Sequence, residues 1–177
     1  MAEISNSALY DNYSTGIPSK KDACIVIVKT EWNAAIVNAL ESGCTQTLTQ
    51  SGVRNIIVLT VPGAIEIPFA VKQFWESKKQ AGTKPDAFIA LGCVIRGDTP
   101  HFEYVSRAVT DGVMQLNLLL PVPVVFGVLT VDNELQAAER IGGKHGHKGK
   151  EAAITAIKMI QFLQSFNNES PLKANEE

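Results

Sequence analysis

The segment Arg96-Gly97-Asp98-Thr99-Pro100-His101 is the most chemically suggestive stretch of this sequence. Gly97 permits a tight turn, Thr99 suits a helix N-cap, and Pro100 suits the first helical position. A helix starting there presents free backbone N–H groups and the positive end of its dipole, an arrangement that accepts a phosphate. His101 falls in the first turn, and an imidazole both gives and takes protons near neutral pH. Taken alone, the segment reads as a capped helix with a solvated histidine, and Asp98 must turn its carboxylate away from any anion.

Other residues allow similar chemistry, each beside an ordinary structural reading. Trp32 follows an apolar run and could stack on a planar ligand or cover a helix end. Glu66, in Pro62-Gly63-Ala64-Ile65-Glu66, could bind a polar heterocycle or complement a helix dipole, and the dipole reading is favoured. Phe126 lies within an apolar run and reads as core. Arg140 suits a helix C-terminus, and Lys148 reads as an exposed loop lysine. Cys24 and Cys93 sit in apolar runs as small buried hydrophobes. With Cys44 the chain has three cysteines, an odd, sparse set without disulfide or metal-ligand spacing. His145 and His147 are too few for a zinc site.

Four β-branched-rich apolar runs, at 23–29, 55–61, 87–95 and 123–129, must position these residues. Each is nearly continuous rather than alternating, the pattern of strands buried on both faces of a parallel sheet. Helical periodicity follows at 33–49, 65–80, 100–120, 132–141 and 149–167. The alternation predicts a βαβ sandwich with right-handed crossovers. Ligands in such sheets bind beyond the carboxyl ends of the strands, where the residues above fall.

The totals bound the answer. A chain of 177 residues with 45% hydrophobic and 19% charged content is expected to fold as one domain with its own core. We expect a flexible polar arm over 1–21, a folded unit over 22–165 and a frayed tail over 166–177. The net charge of −2, with no basic stripe, argues against nucleic-acid binding. No apolar run approaches the ~20 residues of a membrane helix, and the N-terminus lacks an apolar signal core. A cytoplasmic protein is expected.

Four stretches in order, VPGAIEIPFA, ALGCVIRGDTPHFEYVS, PVVFGVLTVDNELQAAER and GKHGHKGKEAA, resemble the successive motifs of the lumazine synthase family. The similarity runs from about residue 23 to residue 162. It implies an α/β fold, a flavodoxin-like αβα sandwich around a four-stranded parallel sheet. It implies condensation of 5-amino-6-(D-ribitylamino)uracil with 3,4-dihydroxy-2-butanone 4-phosphate, with no metal or redox cofactor. Matched by position, the resemblance makes His101 the catalytic residue and Trp32 the aromatic that stacks on the pyrimidine. Ala64, Ile65 and Glu66 match the ribityl-binding segment. Cys93, Val94, Ile95 and Phe126 match pyrimidine contacts. Asp98, Thr99, Arg140 and Lys148 match the phosphate site. Two positions depart from the family pattern: Glu31 stands where an arginine is frequent, and His147 where an asparagine is.

The resemblance further implies a homopentamer with active sites between adjacent subunits. The short stretch 140–149 suits members that build a 60-subunit shell from twelve pentamers, and association with riboflavin synthase is possible. Two other classes compete. One is a binding module that holds a flavin or lumazine, which would need neither His101 nor Arg140. The other is a purely structural shell, which would need no polar strand exits.

Overall fold

The computed structural model describes residues 23–81 and 84–168. Strands β1 (Cys24–Thr30), β2 (Asn55–Val61), β3 (Ala87–Ile95) and β4 (Val124–Val131) form one sheet, ordered β2-β1-β3-β4, with every pairing parallel. Between and after them come α1 (Ala34–Gln50), α2 (Ile67–Ala81), α3 (His101–Leu119), the short α4 (Glu134–Ala138) and α5 (Lys148–Asn168).

The period-2 alternation of the central strands assigns the two faces. Ile25, Ile27, Ile89 and Leu91 pack with Val37, Leu40 and Cys44 of α1 and Ala153 and Ile157 of α5. Val26, Val28, Phe88 and Ala90 pack on the opposite side with Ile67 and Val71 of α2 and Val109 and Val113 of α3. The result is a flavodoxin-like αβα sandwich. Its tightest joint is where α5 meets α1: a Cβ added to Gly149 would fall 2.0 Å from the carbonyl oxygen of Leu40. Among the described residues, no helix is long and apolar enough to cross a membrane.

Several expectations change in detail. Burial on both faces holds for β1 and β3, but β2 and β4 are the edges, and each exposes part of its length. Phe126, expected in the core, is 40% exposed on β4. No strand among the described residues pairs with the outer edge of β4. At its start the amide of Asn117 stands in for one, donating to the carbonyl of Val124 and accepting from its N–H, both at 2.8 Å.

The helix expected over 132–141 is only Glu134–Ala138, because β4 runs on to Val131 and the Asn133 side chain caps the helix by accepting from the Gln136 N–H. The chain then makes a small antiparallel hairpin, β5 (Ile141–Gly143) and β6 (Gly146–His147), where a loop was expected. Gly142 and Gly146 have positive φ there, which lets so short a hairpin close. The helix expected from Thr99–Pro100 begins at His101, with Pro100 in the capping position and no side-chain cap hydrogen bond. α5 reaches Asn168, three residues into the expected tail. The expected arm over 1–21 and the rest of the tail, 169–177, lie outside the described residues.

Candidate active site

The strand order fixes the location of the site. From β1 the chain crosses to one side of the sheet, and β3 returns to the other side of β1. β1 and β3 are therefore neighbours whose connections diverge, which opens a crevice at their carboxyl ends. A cavity of about 400 Å³ lies there. Its walls are the β1 exit with Trp32, the β2 exit over 63–66, the end of β3 over 93–95, and His101 and Val105 of α3.

Trp32 is 73% exposed, so it does not cover a helix end as a buried anchor would. Its backbone is held while its ring is free. The Thr30 hydroxyl reaches the Trp32 carbonyl at 3.4 Å, and the Asn33 carbonyl accepts from the N–H groups of Ile36 and Val37. Asn33 adopts φ 56°, the left-handed region, alone among the described non-glycine residues. Its side-chain amide donates to the Cys93 carbonyl at 2.8 Å, tying the β1 exit to the end of β3.

Across the crevice, residues 64–66 form a single 3₁₀ turn. Ala64 is buried and Ile65 is exposed. A Cβ built on Gly63 would meet the Glu66 carboxylate at 3.0 Å and the Trp32 ring at 3.7 Å, so bare backbone separates these two groups. On β3, burial pushes the Cys93 thiol up to about 11, leaving it protonated near neutrality and unfit as a nucleophile. Val94 and Ile95 are half-buried and paired with Thr130 and Val131.

Asp98 and Thr99 are exposed and lie outside the cavity lining, on the open turn before α3. Arg96 braces that turn. Its guanidinium donates to Asp132 at 2.9 Å and to Glu103, and lies 4.1 Å from the centre of the Phe102 ring. The arginine holds both carboxyls below their usual range.

The remaining predicted residues gather elsewhere. Phe126 and Lys148 line a second cavity of about 370 Å³ along the edge of β4, and it shares no lining residue with the first. Lys148, expected as an exposed loop residue, is buried at the start of α5, with both Glu151 oxygens at 2.8 and 2.9 Å. Arg140 follows α4 and donates to the Gln136 carbonyl at 2.7 Å, the helix C-terminal role anticipated for it. One chain thus unites Trp32, residues 64–66, residues 93–95 and His101. It does not unite them with Phe126, Arg140 and Lys148. Among the described residues, no three His, Cys, Asp or Glu side chains form a metal-binding group.

Sequence reasoning missed Asn33 and Arg96. A signal existed for Asn33: asparagine is among the few non-glycine residues that enter the left-handed region readily, and here it stands directly before α1. Arg96 gave none, because its partners are 7 and 36 residues away.

A family model described as 6,7-dimethyl-8-ribityllumazine synthase matches residues 22–164. The protein of that name from Parabacteroides distasonis is 46% identical over 159 residues, covering 89% of this chain and 95% of its own. Its namesake in Bacteroides fragilis is 50% identical over 143 residues, covering 80% and 96%. The one from Porphyromonas gingivalis is 49% identical over 156 residues, covering 87% and 92%. With a parallel sheet whose switch-point cavity holds an aromatic ring, a carboxylate and a histidine, this chain belongs to the 6,7-dimethyl-8-ribityllumazine synthase family.

Proposed function

We propose that this protein is a transferase of riboflavin biosynthesis. It condenses 5-amino-6-(D-ribitylamino)uracil with 3,4-dihydroxy-2-butanone 4-phosphate to give 6,7-dimethyl-8-ribityllumazine, phosphate and water, the penultimate step. The observation that carries this reading is the cavity at the β1–β3 switch point, with Trp32, Glu66 and His101 on its walls in a chain of this family.

In this reading the pyrimidine stacks on the free face of Trp32 and meets the backbone of Cys93, Val94 and Ile95. The ribityl chain runs along Ala64 and Ile65, and its hydroxyls donate to the Glu66 carboxylate. The butanone phosphate rests against the turn at Asp98 and Thr99, at the start of α3, where the first N–H groups of the helix favour an anion. The pyrimidine amine attacks the ketone, and the carbinolamine loses water to give an imine. Phosphate is then eliminated, and ring closure expels a second water. His101 relays protons through these steps. Both reactants are intrinsically reactive, so holding them together supplies much of the acceleration.

Phe126, Arg140 and Lys148 complete the site from a neighbouring subunit. The support is their separation: they lie on a different cavity, or on none, in the chain that carries His101. We accordingly propose a homopentamer with sites between subunits. The brevity of the 140–149 stretch favours assembly of twelve pentamers into a shell. The proposed setting is the cytoplasm, beside riboflavin synthase.

The first test mixes the purified protein with both substrates and follows lumazine absorbance, with the uncatalysed rate subtracted. A protein-dependent rate that saturates in both substrates is expected, and a rate equal to background refutes the reading. Arg140→Ala is expected to weaken use of the phosphorylated substrate while leaving pyrimidine binding nearly intact, because a guanidinium offers a bidentate fork to phosphate. Calorimetric titration with each substrate checks this, and equal losses for both contradict the assignment.

A further inference from the structure

His147 lies on the hairpin that separates Arg140 from Lys148. Its ring packs against α1 at Gly43: a Cβ there would fall 2.2 Å from Cε1 and 2.5 Å from Nε2 of the imidazole. Its Nδ1 is buried without a hydrogen-bond partner. The hairpin pairs Ile141 with His147, and the Lys148 N–H donates to the Arg140 carbonyl at 2.8 Å. The ring seated on α1 is thus adjacent in sequence to Lys148 and close to the backbone bond that fixes Arg140.

We infer that His147 is a positioning residue for Arg140 and Lys148, and that it seats the hairpin on α1 only while its imidazole is neutral. For Arg140 this rests on the phosphate role proposed above. A proton added to the ring would place a poorly hydrated charge on a buried group, a cost that the backbone hydrogen bond at His147 offsets only in part.

The surrounding charges oppose that proton more than they favour it. From α5, Lys150 repels it, and Glu151 attracts it while already holding Lys148 through both oxygens. The α1 contact is Gly43, and Glu41 on the same helix is paired with Lys29. On the chain leading through the hairpin, Glu139 lies 3.6 Å from His145. Burial, then Lys150, holds the His147 imidazole below its ordinary range, with a backbone hydrogen bond and Glu151 acting the other way. The unfolded chain therefore takes up this proton more readily than the folded one. The stability His147 contributes is full above about pH 6.5 and is lost as pH falls below it.

The test compares the wild type with His147→Asn, and with His147→Gln should the smaller side chain leave too large a gap. Tm and the Kd for inorganic phosphate are measured from about pH 7.5 to about pH 5.5, across the ordinary histidine range. The other titrating groups and the phosphate itself are common to every protein compared, so they cancel in the difference. The expected result is a wild-type Tm that falls more steeply with acid than the variant's, and a wild-type phosphate Kd that rises several-fold more. Parallel Tm slopes overturn the neutral-ring requirement. Diverging Tm slopes with parallel Kd slopes overturn the positioning role. Lumazine turnover, assayed alongside, tests the proposed function separately, since neither readout depends on turnover.

Discussion

The two cavities of this chain are built differently. The one at the switch point is framed by main chain: three strand exits converge there, the amide of Asn33 ties two of them together, and Trp32 is left facing open space. The one along β4 lies on a sheet edge, where Lys148 is engaged by Glu151 and Phe126 projects outward. Arg140, nearby in sequence, is engaged by its own helix. The first holds groups ready for a ligand. The second presents an apolar ring and a strand edge that no strand among the described residues pairs with, features that suit another protein surface. A parallel sheet generates a crevice wherever its connections diverge, whereas an edge becomes a site only when something meets it.

The largest expected effect comes from the joint that both regions share. Gly149→Ala places a Cβ 2.0 Å from the Leu40 carbonyl, a backbone atom that cannot swing aside. Overpacking of this kind costs roughly 3 kcal/mol or more. Thermal unfolding should show a large drop in Tm, and a variant as stable as the wild type would contradict the close approach of α5 to α1.

His101→Ala breaks the first region alone. It should lower kcat by up to about a hundredfold, the lower end for general acid–base catalysis, because water can replace the imidazole in part. Steady-state assays check this, and an unchanged kcat removes His101 from the proton relay.

Trp32→Ala sharpens the comparison further. Loss of ring stacking, about 0.5–1.5 kcal/mol, should raise the KM for the pyrimidine by up to roughly tenfold. The KM for the butanone phosphate should stay nearly constant, and equal rises in both would place the ring elsewhere.

An effect of comparable size, read on stability rather than on turnover, separates backbone from side chain at Asn33. Alanine there must hold a left-handed conformation at a cost of about 1–2 kcal/mol, whereas glycine adopts it freely. Denaturant titration should rank the wild type first, Asn33→Gly next and Asn33→Ala last. Equal losses in the two variants would mean that the hydrogen bond to Cys93, rather than φ, accounts for the effect.

The difference between the regions also explains what was legible in the sequence. The runs at 23–29 and 87–95 announced buried parallel strands, and the rule that ligands bind at their carboxyl ends led to Trp32, Glu66 and His101. Those positions follow from local pattern plus topology. Phe126 and Lys148 were misread, one as core and one as exposed, because β-branched neighbours do not distinguish an edge strand from a central one, and a glycine-rich stretch does not reveal a buried ion pair. The hairpin over 141–147 was missed because it is too short for periodicity to register. Arg96 depends on partners from α3 and from the turn after β4, a relation that only the folded chain displays. The anion site at Thr99–Pro100 was legible as a helix start, whereas the roles proposed for Phe126, Arg140 and Lys148 came from the family resemblance rather than from residue pattern.

The central claim is that the two regions form one active site only between chains. The most direct measurement coassembles His101→Ala with Arg140→Ala from a denatured mixture and compares lumazine formation with that of each variant refolded alone. In a shared site, mixing places both defects in some interfaces and neither in others, so activity should rise well above the average of the two parents. A mixture that gives only that average would contradict the account.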